Sequence, residues 1–101
     1  MMNNLTINEK DIITFYPART YNLNYNDKNL ILLDRIAGTV TLDYCESLLY
    51  ELSSGKMSFG EILHIAGEKL FKDLSPEEVY KKVMDFYIRM EKLYAVIFAK
   101  I

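Results

Sequence analysis

Three short stretches from residue 43 onward have the arrangement that starts a helix. Each has a capping residue followed three positions later by glutamate: Asp43-Tyr44-Cys45-Glu46, Ser58-Phe59-Gly60-Glu61 and Ser75-Pro76-Glu77-Glu78. In such a capping box the side-chain oxygen accepts from an amide of the first turn, and the glutamate accepts from the amide of the capping residue. Because apolar residues follow each box at helical spacing, the sequence predicts helices over residues 44–52, 59–70 and 76–93.

The first 42 residues have a different pattern. Pro17 excludes a regular helix around it, and all seven asparagines lie within the first 29 residues. Alternating residues predict short strands over 21–25 and 39–42, and a short apolar run predicts another over 30–33. The last two are joined by a three-to-five-residue loop that holds Gly38. We therefore expect an N-terminal arm over residues 1–20 and an α+β domain over 21–101. The tail from residue 94 is compatible with either a helix end or a strand.

Length and charge limit the class of protein. The chain has 101 residues, half of them hydrophobic and 26% charged, which is typical of one folded globular domain. Its net charge is −2, and neither half is basic: residues 1–55 have four Lys or Arg against seven Asp or Glu, and residues 56–101 have eight against seven. Nucleic acid and anionic membrane surfaces are therefore poor partners. Without a long apolar stretch or a leader pattern, we expect a soluble cytoplasmic protein.

No residues stand out as catalytic or metal-binding. A single cysteine and a single histidine cannot form an internal disulfide or a His/Cys metal cluster. Cys45 lies in the first turn of a predicted helix, where the helix dipole can lower a thiol pKa, but a packing role is favoured. His64, between Leu63 and Ile65, is likewise favoured as a packed or partly exposed residue over a general base. We expect no catalytic site and no cofactor.

The third predicted helix has an unusually wide apolar arc. A core stripe at helical spacing contains Val79, Val83, Phe86, Met90 and Leu93. The opposite, charged side contains Glu78, Lys81, Lys82, Asp85, Arg89 and Lys92. Between the two lies a sector of Tyr80, Met84, Tyr87 and Tyr94, residue types that binding surfaces favour. Since a surface helix needs only about a 100° apolar arc, this sector is either a binding surface or is covered by the arm or the sheet.

Residues 30–93 resemble the PqqD-like family, also known as RiPP precursor peptide recognition elements. The resemblance rests on four stretches and covers about two-thirds of the chain. They are Leu30-Ile31-Leu32-Leu33, Ala37-Gly38-Thr39-Val40-Thr41-Leu42-Asp43, Leu48-Leu49-Tyr50-Glu51-Leu52, and Gly55 with Ser58-Phe59-Gly60-Glu61-Ile62. The rhythm of Val79, Val83, Phe86 and Leu93 fits the final helix of the family. The large Tyr44 departs from the pattern, since small residues are common there.

The resemblance implies a fold, a partner and a site. The fold is a winged helix-turn-helix, with a three-stranded antiparallel sheet followed by three helices. The function is non-catalytic binding of the leader region of a precursor peptide, which adds as a strand to the third strand and is presented to a separate modifying enzyme such as a radical SAM protein. In this sequence the strand edge corresponds to Thr39, Val40 and Thr41, and the cleft wall to Tyr80, Met84 and Tyr87.

Two other functions are compatible with the same pattern. A winged-helix DNA-binding regulator requires a basic recognition helix, and residues 59–70 offer Lys69 beside two glutamates. A structural scaffold subunit would use its apolar flank as a permanent dimer interface. The segment 39–41 has no Lys or Pro to block strand pairing, so it suits a peptide-accepting edge or a homodimer contact equally.

Overall fold

The computed structural model describes residues 14–99, which form an α+β unit. Its strands are β1 (Tyr16–Arg19), β2 (Leu32–Arg35), β3 (Gly38–Thr41) and β4 (Val96–Ala99). Its helices are α1 (Tyr44–Leu52), α2 (Phe59–Ile65) and α3 (Pro76–Lys92), and a π-helical turn, Ala66–Leu70, extends α2. The predicted α+β class is confirmed.

All three predicted helix starts are confirmed. In α1, Asp43 Oδ1 accepts from the Glu46 amide at 2.8 Å, and Glu46 Oε1 accepts from the Asp43 amide at 2.9 Å. The same reciprocal bonds open α2 and α3, where Ser58 and Ser75 are the capping residues. A capping side chain of this kind stabilises a helix by about 1 kcal/mol. The first residue of each helix is therefore determined by bonds within one turn.

The N-terminal strand lies elsewhere than predicted. No strand forms over residues 21–25, where Tyr25 makes a single bridge to Ile31. The strand is β1, inside the segment predicted as an arm, and it pairs antiparallel with β4. Its other edge contacts the link after α1, since the Arg19 amide donates to the Ser53 carbonyl and the Gly55 amide to the Pro17 carbonyl, both at 2.8 Å. Of the two alternatives for the tail, the structure shows the strand.

The predicted hairpin forms, with a tighter turn. β2 and β3 pair antiparallel with Arg35 opposite Gly38, so only residues 36 and 37 separate the strands. Gly38 has φ +130°, a backbone conformation that glycine adopts readily, and this permits the short turn. The described residues form two two-stranded sheets, β1–β4 and β2–β3, instead of the three-stranded sheet that the resemblance implies.

One core joins the hairpin, the helices and β4. Its fully buried large side chains are Ile31, Leu33, Leu42, Leu49, Tyr50, Phe59, Ile62, Val83, Tyr87 and Met90. The Tyr50 hydroxyl donates to the Ala95 carbonyl at 2.7 Å and accepts from the Tyr21 amide, which fixes the start of β4 against α1. Within residues 14–99, none of the helices is long and apolar enough to span a bilayer.

Candidate strand-accepting edge and groove

The outer edge of β3 has backbone groups that point away from β2. The Leu42 amide donates to the Ile31 carbonyl at 2.9 Å, so Leu42 points its backbone groups at the β2 side. In an antiparallel pair these groups alternate along a strand, so Val40 also faces β2, whereas Thr39 and Thr41 face outward. Within residues 14–99, no segment pairs with this outer edge.

The side chains of β3 divide between two faces. Val40 is half-buried and packs on the core, as does its partner Leu33. Thr39 and Thr41 are exposed on the opposite face, where the Thr39 hydroxyl donates to Asp34 Oδ1 at 3.3 Å. The edge therefore presents uncharged side chains and free backbone donors and acceptors, which is the chemistry that strand addition requires.

A groove between α1 and α3 opens two residues beyond the end of β3. It has a volume of about 420 Å³ and begins at Asp43, the capping residue of α1. Its apolar lining consists of Leu49, Phe71 and Phe86. Its polar lining consists of Asp43, Cys45, Glu46, Lys82, Asp85 and Arg89. An apolar floor with a charged rim suits a peptide side chain better than a small, fully enclosed ligand.

An ion pair bridges the two walls of this groove. Arg89 of α3 contacts the Glu46 carboxylate, whose other oxygen accepts from the Asp43 amide. Asp85, which also lines the groove, pairs with Lys81 one turn earlier in α3 at 3.3 Å. The Lys81–Asp85 pair is exposed, and such pairs contribute about 0–1 kcal/mol to stability. In the Arg89–Glu46 pair the Glu46 side chain is only 20% exposed. Lys82, Asp85 and Arg89 give the rim charged groups of both signs that a guest peptide can contact.

Cys45 lines the groove, and the pKa of its thiol lies above the ordinary value. Burial raises its pKa, and the negative charge of Asp43 raises it further. These effects oppose the helix dipole, which lowers a thiol pKa. The partly buried Cys45 therefore contributes packing surface, in line with the packing role that the sequence favours.

Tyr87, predicted as part of the cleft wall, lies inside the core. Its side chain is fully buried, and its ring packs on those of Phe59, Phe86 and Phe98 at centroid distances of 5.0–5.8 Å. Burial raises the pKa of its hydroxyl, which lies 2.6 Å from Ser53 Oγ. Since α2 and β4 cover this flank of α3, a peptide has no access to Tyr87.

Tyr80 and Met84, the other two predicted wall residues, lie half-buried at the margin of the core. The Tyr80 ring meets Phe59 of α2 edge-to-face, with centroids 6.1 Å apart. Tyr80 also lines a second groove, between α2 and the start of α3, in which His64 and Glu68 take part. Of the sector between core stripe and charged side, the part on α3 is thus mostly covered, whereas Tyr94 is 82% exposed. The cover comes from α2 and β4, whereas the cover considered from the sequence was the arm or the sheet.

The flank of α3 that lies beside the end of β3 was not identified from the sequence. It contains Lys82, Phe86 and Arg89, which the helical wheel assigns to the charged side and the core stripe. The sequence signal that points to this flank is the short link between β3 and α1. Only two residues separate the two elements, and α1 brings Glu46 to Arg89. His64, by contrast, is exposed, with Nε2 3.2 Å from Glu68 Oε1.

Comparisons with known proteins return no match. No family model matches the chain, and neither curated proteins nor solved structures show a similar one. Among residues 14–99 there is no group of three His, Cys, Asp or Glu side chains placed to hold a metal ion.

Proposed function

We propose that this chain is a peptide-binding module of the PqqD-like type. It holds the leader region of a ribosomally synthesised precursor peptide by strand addition to β3 and presents the peptide to a separate modifying enzyme, such as a radical SAM protein. The chain itself performs no catalysis and needs no cofactor, and it works in the cytoplasm. The observation that carries the proposal is the outward-facing backbone of Thr39 and Thr41 beside the α1–α3 groove.

Backbone hydrogen bonds supply the register of the guest. Thr39 and Thr41 each offer one N–H and one C=O on the outer edge of β3. Each bond to a guest strand contributes about 0.5–1.5 kcal/mol net. The bonds do not depend on the guest's side chains, so they position any extended peptide.

The groove supplies selection among peptides. The core and the helices lie on the face of the hairpin that carries Leu33 and Val40. Alternate residues of an added strand point to that same face. Where the guest strand extends beyond Thr41, its side chain on this face enters the α1–α3 groove. There it meets the apolar floor of Phe71 and Phe86, with Lys82 and Arg89 at the rim. This lining replaces the predicted wall of Tyr80, Met84 and Tyr87.

Of the two alternatives, the scaffold dimer would use the apolar flank of α3, but Tyr87 on that flank is buried beneath α2 and β4. The edge of β3, which no segment within residues 14–99 pairs with, offers a second copy a different surface. The DNA-binding alternative has less support, because α2 spans only Phe59–Ile65 and includes Glu61 in its first turn. A helix that enters the major groove requires a basic surface.

The proposal is tested by a displayed library of random linear peptides selected against the full chain. Thr41→Pro removes the outward N–H, whereas the matched variant Thr41→Val removes only the hydroxyl and keeps the N–H. We expect selected peptides to lose at least ~10-fold in affinity for Thr41→Pro and to bind Thr41→Val like the parent chain. Equal binding to parent and Thr41→Pro, with both folded, or failure to enrich any peptide, overturns the proposal.

A further inference from the structure

We infer that the guest peptide of this chain carries an acidic side chain, aspartate or glutamate, two positions from a large apolar one, and that Lys82 of α3 binds the acidic group. This inference rests on the proposed function and specifies the chemistry of its guest. Three features of the α1–α3 groove support it: the partners of its acidic groups, the unpaired ammonium of Lys82, and the distance of Lys82 from the apolar floor.

The acidic groups that line the groove already have partners within the chain. Asp43 Oδ1 accepts from the Glu46 amide at 2.8 Å, at the positively polarised start of α1. The Glu46 carboxylate accepts from the Asp43 amide and contacts Arg89 of α3. Asp85 pairs with Lys81 at 3.3 Å. None of these three carboxylates therefore requires a cation from the guest.

Lys82 lines the same groove without an ionic partner. Its side chain is exposed, and among residues 14–99 no carboxylate lies at ion-pairing distance from its ammonium. Glu78, four positions earlier in α3, is engaged in the helix cap, where its Oε1 accepts from the Ser75 amide at 2.9 Å. Burial raises the pKa of the Cys45 thiol in α1, and the positive charge of Lys82 partly offsets this effect. The ammonium therefore lies near the opposite wall of the groove, where a guest carboxylate can pair with it.

The spacing of residues along α3 matches the spacing of side chains on an extended peptide. Lys82 precedes Phe86 by four residues, so the two are neighbours on the surface of α3. They are separated by about 6 Å along the helix axis. Side chains two positions apart in an extended chain point to the same face and are separated by about 6.6 Å. A guest that runs beside α3 can therefore place an apolar side chain on Phe86 while the side chain two positions away meets Lys82.

The two ends of the apolar floor differ in charge. Arg89, three residues beyond Phe86, is the other cation of the lining, but its guanidinium contacts Glu46. A guest carboxylate at that end would have to displace a carboxylate of the chain, whereas at Lys82 it displaces none. The acidic residue of the guest should therefore lie on one side of the apolar residue only, and this asymmetry fixes the direction in which the peptide lies in the groove.

Selection of a displayed random peptide library on the full chain tests this chemistry. Peptides enriched by the parent chain should share Asp or Glu two positions from a large apolar residue, on one side of it only. Replacing that acidic residue by Lys in a selected peptide should weaken binding about 3–10-fold, and the difference should shrink as the salt concentration rises. Against Lys82→Glu the order should reverse, with the Lys-containing peptide binding more tightly than the acidic one.

Lys92→Glu is the matched control, because it makes the same charge change at an exposed lysine of α3 that does not line the groove. This variant should keep the preference of the parent chain for the acidic peptide. The inference is overturned if Lys82→Glu keeps that preference, if Lys92→Glu reverses it equally, or if the peptides enriched by the parent chain share no acidic residue. In the last case, loss of their binding in Thr41→Pro leaves the proposed function standing, whereas failure to enrich any peptide overturns both.

Discussion

The hydroxyl of Tyr87 lies 2.6 Å from Oγ of Ser53, inside the core between α1 and α3. Ser53 Oγ donates its single proton to the Leu49 carbonyl at 2.8 Å, so Tyr87 is the donor in the bond between the two hydroxyls. This bond ties the residue that ends α1 to the middle of α3. The two helices form the walls of the candidate groove, and the bond helps fix their separation.

Removing the acceptor of this bond should lower the free energy of unfolding more than removing the donor. Ser53→Ala leaves the buried Tyr87 hydroxyl without its acceptor, and we expect a loss of about 1–3 kcal/mol in the free energy of unfolding. Tyr87→Phe removes the donor itself and should cost about 1 kcal/mol. Urea denaturation measures both. Tyr94→Phe, at a tyrosine 82% exposed, is the control and should have no effect. Equal losses in all three variants would contradict this account.

Proline should destabilise the fold more at Val40 than at the neighbouring Thr41 of β3. The Val40 amide faces β2, so Val40→Pro removes a hydrogen bond of the hairpin. We expect it to lower the free energy of unfolding by about 1–3 kcal/mol. The outward amide of Thr41 bonds to no other described residue, so Thr41→Pro should cost less. Thermal unfolding of the two variants side by side checks the difference. A larger loss at Thr41 would mean that the outward assignment of its amide is wrong.

The α3 cap should make stability depend on pH. Hydrogen bonds from the backbone and then the side chain of Ser75 hold the pKa of Glu78 below its ordinary value of 4.5. Because the folded pKa is the lower one, this contribution is fully present above 4.5 and is lost as the pH falls through the folded pKa. Denaturation between about pH 3 and pH 6 should show a smaller pH dependence in Glu78→Gln than in the parent chain. An unchanged pH profile would exclude this role of Glu78.

The two grooves beside α3 should differ in their effect on peptide binding. Phe71→Ala removes an aromatic ring from the α1–α3 groove, and we expect library-selected peptides to bind about 10-fold more weakly. Tyr80→Ala removes a ring from the groove between α2 and α3 and should leave peptide affinity unchanged. Isothermal titration with folded variants measures both. If Tyr80→Ala weakened peptide binding and Phe71→Ala did not, the peptide would bind at the Tyr80 flank of α3, as the sequence pattern indicated.

The sequence by itself determined the helix starts and the hairpin. The bonds of a capping box join residues three positions apart, so Asp43, Ser58 and Ser75 act in the same way whatever the rest of the chain does. The alternation in β3 likewise places Val40 on the core face and Thr39 and Thr41 on the other. These features depend on residues that are close together along the chain, so they can be predicted from local sequence patterns.

Only the tertiary structure decided which strand pairs with β1 and which tyrosines at or near α3 are buried. Tyr16 pairs with Ala99, which lies more than 80 residues later in the sequence. No pattern within either segment indicates that the two strands pair. The helical wheel puts Tyr87 and Tyr94 in one sector, yet Tyr87 is buried and Tyr94 is 82% exposed. Phe59 of α2 and Phe98 of β4 pack over Tyr87. Tyr94 lies beyond the end of α3 at Lys92, with φ +56°, so the helical wheel does not describe its direction. Burial depends on which elements meet in space, and helical periodicity describes only which residues share a face.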